Sequence, residues 1–284
     1  VPNKRQKTIE RYEGLIRKHI TPDLGHIELT KLTPSEIRTL EAKLIAQGMA
    51  PKGVELVHTV ISGAYRYALQ DDLVWRNPAK AVTPPPVIHT EVVPPEIVSV
   101  KEILRFAEEE NHPLSACLYL IAYTGLRRGE ALGLRHQDLN LEAGVISIVQ
   151  TVGRSLHKGV IIEPTKTTYS RRSVDLDGDT VAVLRAHIGK QMLHRMELEG
   201  AYEDHGLVFP DGLGRPMNPM ILTRAFQSFA KRLGLRGAKV HDLRHFHASV
   251  MLQNGESLLL VSKRLGHASI STTGDVYGLS LIHI

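Results

Sequence analysis

Apolar side chains recur at helical spacing through most of the first eighty residues. In KTIERYEGLIRKHI, the positions Ile9, Tyr12, Leu15, Ile16 and Ile20 fall on one side of a predicted helix. LTPSEIRTLEAKLIAQG adds a full start signal, with Thr33 as N-cap, Pro34 at the first helical position and Glu36 three residues after the cap. Ile37, Leu40 and Leu44 form its stripe, and Gly48 ends it. A third stripe, in KGVELVHTVISGAYRYAL, runs through Val54, Val57, Ile61 and Tyr65. No cluster of acid–base residues accompanies these helices, so this part reads as a small helical binding module.

The pattern breaks at NPAKAVTPPPVIHTEVVPPEI, where Pro78, Pro84, Pro85, Pro86, Pro94 and Pro95 forbid a continuing helix and favour an extended connector. The chain therefore divides into a helical part, residues 1–83, a Pro-rich linker over 84–96, and a mixed part, 97–284. In the mixed part helical patterns cover roughly 95–110, 113–123, 128–136, 178–198, 219–233, 241–253 and 257–264. Between them GVISIVQTVG, GVIIEP and RRSVDLD are short, β-branched and bounded by Gly, Pro or Asp, as strands are. The expected fold is mainly α with one small antiparallel β-sheet set among the helices.

Composition narrows the class without naming it. Of 284 residues, 42% are hydrophobic and 23% charged, the balance of a globular chain able to fill a core. Aromatics reach only 5%, so Leu, Ile, Val and Ala must do the filling. No apolar run approaches the ~18 residues of a membrane helix, and no charged-then-apolar leader is visible. Cys117 is the single cysteine and has no internal disulfide partner, which fits a reducing cytoplasm. The net charge of +5 leans toward a nucleic-acid partner but does not decide it.

Candidate chemistry is concentrated in the mixed part. In KVHDLRHFHASV, His241 lies three residues from Arg244 and four from His245, on one helical face. Such a pair of histidines could hold zinc, but a third ligand and a glutamate base are missing from the helix. His245 and His247 could instead be partly buried or surface residues, and an imidazole beside a guanidinium suits a phosphate oxygen. In AYTGLRRGEALGLRHQDL, Glu130 can orient Arg127, although Arg128 competes and spacing does not choose between them. Lys166 lies in a polar turn between two predicted strands, and His267 follows Gly266 at a helix end.

Taken in order, TGLRRGEALGLR, the hairpin Lys166, HDLRHFHAS and LGHASISTTGDVYG resemble the tyrosine recombinases, the phage-type integrases. The helical first part, from TIERYEGLIRKHI to RNPAKAVTPP, resembles that family's SAM-like core-binding domain. The resemblance implies that the two parts hold opposite sides of a duplex. It selects Arg127 over Arg128 as the first catalytic arginine, with Glu130 steadying it. It also implies catalytic roles for Lys166, His241, Arg244 and His267, and makes Tyr277 the nucleophile. Lys52 and His58 in the helical part, and Thr165 beside the hairpin lysine, are further expected DNA contacts. The chain departs from the family pattern at Gly274, where a larger residue is usual, and in the closing LSLIHI.

The chemistry implied is strand cleavage and rejoining through a 3′-phosphotyrosyl intermediate. Two guanidiniums stay charged at any working pH and present planar forks to phosphate oxygens. A phenol with pKa ~10 is scarcely ionised at neutral pH and needs cations and a base close by, with His241 the expected acceptor. The hairpin lysine would protonate the leaving 5′ oxygen, and His267 would hydrogen-bond the phosphate. No metal, ATP or other cofactor is implied. Double-stranded attachment sites, a homotetramer on synapsed DNA and accessory DNA-bending or directionality proteins are the implied partners. The rival classes are a DNA-binding protein without catalysis and a metal-dependent nuclease.

Overall fold

A computed structural model of the chain describes residues 6–87, 97–165, 170–235, 237–271, 273–274 and 277. It forms two compact units, Val1–Thr90 and Glu91–Ile284. The Pro-rich linker falls between their cores, and its residues 88–96 lie outside the described ones.

In the first unit, α1 (Gln6–Leu15) runs through a π-helical turn, Ile16–Ile20, into α2 (Thr21–Leu24). A π turn adds a residue and rotates the face that follows. The expected stripe is accordingly interrupted, with Ile16 left exposed. Helix α3 (Pro34–Ala46) begins at the expected capping box, where the Thr33 amide donates to Glu36 Oε2 at 2.7 Å and the Glu36 amide to Thr33 Oγ1 at 3.4 Å. Helix α4 is Pro51–Gln70, and a 3₁₀ turn follows at Pro78–Ala81. Ile37, Leu40 and Leu44 of α3 meet Val54, Val57, Ile61 and Tyr65 of α4 in the core.

The second unit is built around α6 (Ser115–Thr124), whose segment LSACLYLIAYT is apolar on nearly every side and is buried on nearly every side. It packs against α5 (Ile97–Glu109), α8 (Gly178–Glu197) and α10 (Val240–Gln253). Helices α7 (Arg128–Leu132), α9 (Pro219–Arg232) and α11 (Leu258–Leu265) complete the helical frame among the described residues.

The strands do not form one sheet. β1 (Leu139–Asn140), β2 (Val145–Ile148) and β5 (Arg172–Asp175) make a three-stranded antiparallel sheet in the order β1-β2-β5. β3 (Gln150–Ser155) and β4 (Gly159–Pro164) form a separate antiparallel hairpin. The single predicted strand in GVISIVQTVG thus divides at Val149 between two sheets. The reason lies in α7, which rests on β3. A Cβ added at Gly129 would stand 2.4 Å from Thr151 Oγ1 and 2.6 Å from the Val152 carbonyl oxygen, so only glycine permits the approach. The same contact shortens the predicted helix over 128–136, which ends at Leu132.

Candidate active site

The site is assembled on the C-terminal end of α11. This helix starts on Ser257, whose hydroxyl accepts from the Leu260 amide, and stops at Gly266 in the left-handed conformation, φ 67°. The last carbonyls of a helix have no intrahelical donors and carry the negative end of its dipole. Here three guanidiniums from three different elements take three successive carbonyls. Arg172 Nε donates to Arg264 O at 2.6 Å, Arg244 Nη2 to Leu265 O at 2.7 Å, and Arg127 Nη2 to Gly266 O at 3.1 Å.

Arg127 reaches this point because α6 ends at Gly125, φ 68°, and the chain turns before α7 begins. A Cβ at Gly125 would stand 2.6 Å from Leu265 Cδ2 and 2.7 Å from His247 Cδ2. Glu130, only 4% exposed, receives the Arg127 amide at 3.0 Å and Arg127 Nη1 at 2.7 Å, and Arg172 Nη2 at 2.9 Å. Burial pushes this carboxyl upward in pKa, but Arg172 and then Arg127 outweigh it and hold it below the ordinary carboxylate range. Arg128, the competitor for the first arginine position, donates instead to Thr223 Oγ1 on α9.

Arg244 is 2% exposed, and its other terminal nitrogen donates to Gly125 O at 2.6 Å. Burial and the neighbouring Arg127 lower its pKa to about 9, so it remains a cation at neutral pH. His241 and His267 share this electropositive surrounding. Burial, then His245, Arg244 and Arg127, bring His241 down to about 4. Burial, then Arg244, Arg127, Arg172 and His241, bring His267 down to about 4 as well. Both imidazoles are therefore neutral at pH 7 and able to accept one hydrogen bond while donating another. His267 Nδ1 is hydrogen-bonded to the buried Thr273 hydroxyl at 2.7 Å.

Tyr277 is 2% exposed and packs on Ala248, Leu252, Val261 and Leu265. Burial raises its phenol to about 12, with Arg244 acting in the opposite direction. Its hydroxyl is hydrogen-bonded to Nδ1 of His245 at 2.6 Å. His241, the acceptor expected from the sequence, lies one helical turn away, its ring edge-to-face with His245 at 4.7 Å between centroids.

The structure thus gathers Arg127, Glu130, Arg244, His241, His267 and Tyr277 around α10 and the end of α11. Lys166 lies outside the described residues. Beside it, the Thr165 hydroxyl is buried with no hydrogen-bond partner among the described residues. In the first unit Lys52 is exposed and paired with Glu55, and His58 Nδ1 is hydrogen-bonded at 2.8 Å to the buried Glu41. His58 is therefore engaged inside its own unit. No group of three or more His, Cys, Asp or Glu among the described residues is placed to hold a metal ion. No helix among them is long and apolar enough to cross a membrane.

Sequence reasoning weighed His245 only as a zinc partner of His241 or as a buried or surface residue, and did not single out Arg172. His245 offered a signal in its spacing from His241, but the choice between them depends on where Tyr277 lands. Arg172 could have been found by alternation: it shares a strand face with the buried Val174, which turns it inward and leaves Arg171 outside the pattern.

Residues 98–280 match the family model of the phage integrase family, and residues 1–45 match that of the phage integrase N-terminal SAM-like domain. The chain belongs to the phage integrase family and is a site-specific tyrosine recombinase. It is 28% identical to a tyrosine recombinase XerC-like protein of Caldanaerobacter subterraneus subsp. tengcongensis, over 97% of this chain and 74% of that one. Among solved structures, the Tn1549 transposon integrase in complex with a circular intermediate DNA superposes with a TM-score of 0.81 at 19% identity, covering 97% of this chain and 90% of that chain. A lambda integrase tetramer bound to a Holliday junction gives 0.68 at 20% identity, covering 95% of this chain and 72% of that chain. At these identities the two structural matches speak for the fold.

Proposed function

We propose that this recombinase cuts and rejoins double-stranded DNA at attachment sites through a covalent 3′-phosphotyrosyl intermediate on Tyr277. The observation that carries this reading is the excess of guanidinium over carboxylate at the end of α11, where Arg244 also acts on the Tyr277 phenol. Arg127, Arg172 and Arg244 are held by carbonyls of one helix end, and the single carboxylate there, Glu130, pairs with two of them, Arg127 and Arg172. A dianionic pentacovalent phosphorane answers that imbalance.

In this reading Tyr277 Oη attacks the phosphorus and the 5′ oxygen leaves. Arg127 and Arg244 bind the non-bridging oxygens, each contact contributing roughly 3–4 kcal/mol by analogy with oxyanion-hole donors. Glu130 steadies Arg127, while His241 and His267 offer neutral N–H groups to the phosphate. Lys166 gives the leaving oxygen its proton. The phosphotyrosyl bond retains the energy for rejoining, so neither metal nor ATP enters. The helical unit adds DNA affinity, with Lys52 among the contacts and His58 supporting it from within, and Thr165 adds a contact beside the hairpin lysine of the second unit. A homotetramer on synapsed DNA in the cytoplasm is the working form, with accessory DNA-bending or directionality proteins setting the outcome.

The test is incubation with nicked DNA carrying candidate attachment sites, with EDTA present. Wild type should form a covalent protein–DNA adduct, and Tyr277→Phe should bind the same DNA without forming one. Persistent adduct in that variant overturns the assignment of the nucleophile, and loss of wild-type cleavage on EDTA addition overturns metal independence.

A further inference from the structure

Resting on that reading, we infer that His245 is a catalytic residue, the group that takes the proton from Tyr277 as its oxygen attacks the phosphorus. On α10, His245, Ala248 and Leu252 lie at positions i, i+3 and i+7 and share one face. The ring of Tyr277 packs on Ala248 and Leu252 and so lies along that face. Its hydroxyl then falls at the His245 end, 2.6 Å from Nδ1. This distance is at the short end for an O–H donor and within the reach required of a general base.

His241 is four residues further toward the start of the helix, and its ring meets the edge of His245. The apolar seat of the tyrosine therefore selects between two imidazoles that spacing alone leaves equivalent. Burial keeps His245 neutral at working pH, with Asp242 pulling the other way and able to favour the cation once it forms. In the forward step the Oη–P bond forms and the P–O5′ bond breaks. The phenolic proton passes to His245 Nδ1, and the 5′ oxygen takes a proton from Lys166. Rejoining reverses the transfer: the 5′-hydroxyl attacks and His245 returns its proton to the departing tyrosine oxygen.

The experiment measures single-turnover adduct formation on nicked attachment-site DNA for wild type, His245→Ala and His245→Gln, with DNA binding recorded for each to show that the fold is kept. His245→Ala should be slower by about 10²-fold or more, the usual contribution of a general base. His245→Gln should be equally slow, since an amide can accept the hydrogen bond but not the proton. Added imidazole should recover part of the His245→Ala rate. A Gln variant within a few-fold of wild type would mean that His245 only positions the phenol, and the inference fails. An Ala variant that cleaves faster would mark the contact as a restraint on Tyr277, and the inference fails again. Slow variants with no response to imidazole overturn it too, because lost packing gives that result. If wild type forms no adduct, it is the broader recombinase mechanism that has failed.

Discussion

The two units bury polar groups in opposite ways. In the helical unit each buried polar side chain that can be followed closes on a nearby partner. Glu41 meets His58, and Asn77 donates to the Ser62 carbonyl while accepting from the Ala79 amide. In the second unit Arg127 and Arg172 share one buried carboxylate, while the donors of the buried Arg244 end on backbone carbonyls that cannot neutralise it. A buried charge is tolerated only with compensation, so an arrangement that leaves positive charge over is unexpected unless an anion arrives. Self-sufficient polarity marks a scaffold; incomplete polarity marks a site.

The largest expected effect lies at Arg244. Arg244→Ala should reduce adduct formation by about 10²–10³-fold, and Arg244→Lys should recover little, because a point charge cannot span both Gly125 O and Leu265 O. Single-turnover cleavage measures both. Next comes Glu130→Gln, which leaves two guanidiniums without their shared carboxylate and should cost about 3 kcal/mol in urea unfolding. The Glu130 carboxyl has a depressed pKa in the folded state. Its contribution to stability is present above the unfolded carboxylate pKa and is lost as pH falls through the folded value. Glu130→Gln should flatten that acid limb of the stability curve.

A smaller effect comes from the neutral histidines. His241 and His267 at about 4 and His247 at about 3 all have folded pKa values below the unfolded one. They stabilise the fold above pH ~6.5, and the stability drains away as pH falls from there toward 4. Thermal unfolding across that range should show a steady decline, less steep in His247→Gln. The smallest expected change belongs to the helical unit. His58→Ala should cost about 1 kcal/mol and leave the cleavage rate of bound DNA unaltered, since the Glu41 pair is structural. A large change in cleavage rate there would erase the contrast between the units.

Much of this arrangement is written locally in the chain. The capping box at Thr33 and Glu36, the Arg127–Glu130 spacing and the His241–Arg244 spacing all act within one helical turn, where sequence separation and distance are nearly the same quantity. What was not legible is long-range. Arg172 meets Glu130 from a strand, and Tyr277 finds His245 rather than His241 because Ala248 and Leu252 seat its ring. Such pairings depend on how elements pack, which no periodicity records. The division of the strands at Val149 has the same origin, since it reflects the approach of Gly129 to β3. The π turn at Ile16–Ile20 left no signal in a sequence whose apolar spacing suits an ordinary helix.

Gly125 acts as a gauge of length. The Arg244 fork bridges the carbonyl of Gly125 and that of Leu265, one at the end of α6 and the other at the end of α11. A methyl group on Gly125 would collide with the Leu265 and His247 side chains and wedge those two helix ends apart. The gap would then exceed the span of one guanidinium. In the proposed mechanism, the tolerance with which a scissile phosphate would be gripped is thus calibrated by a position that has no side chain to offer it.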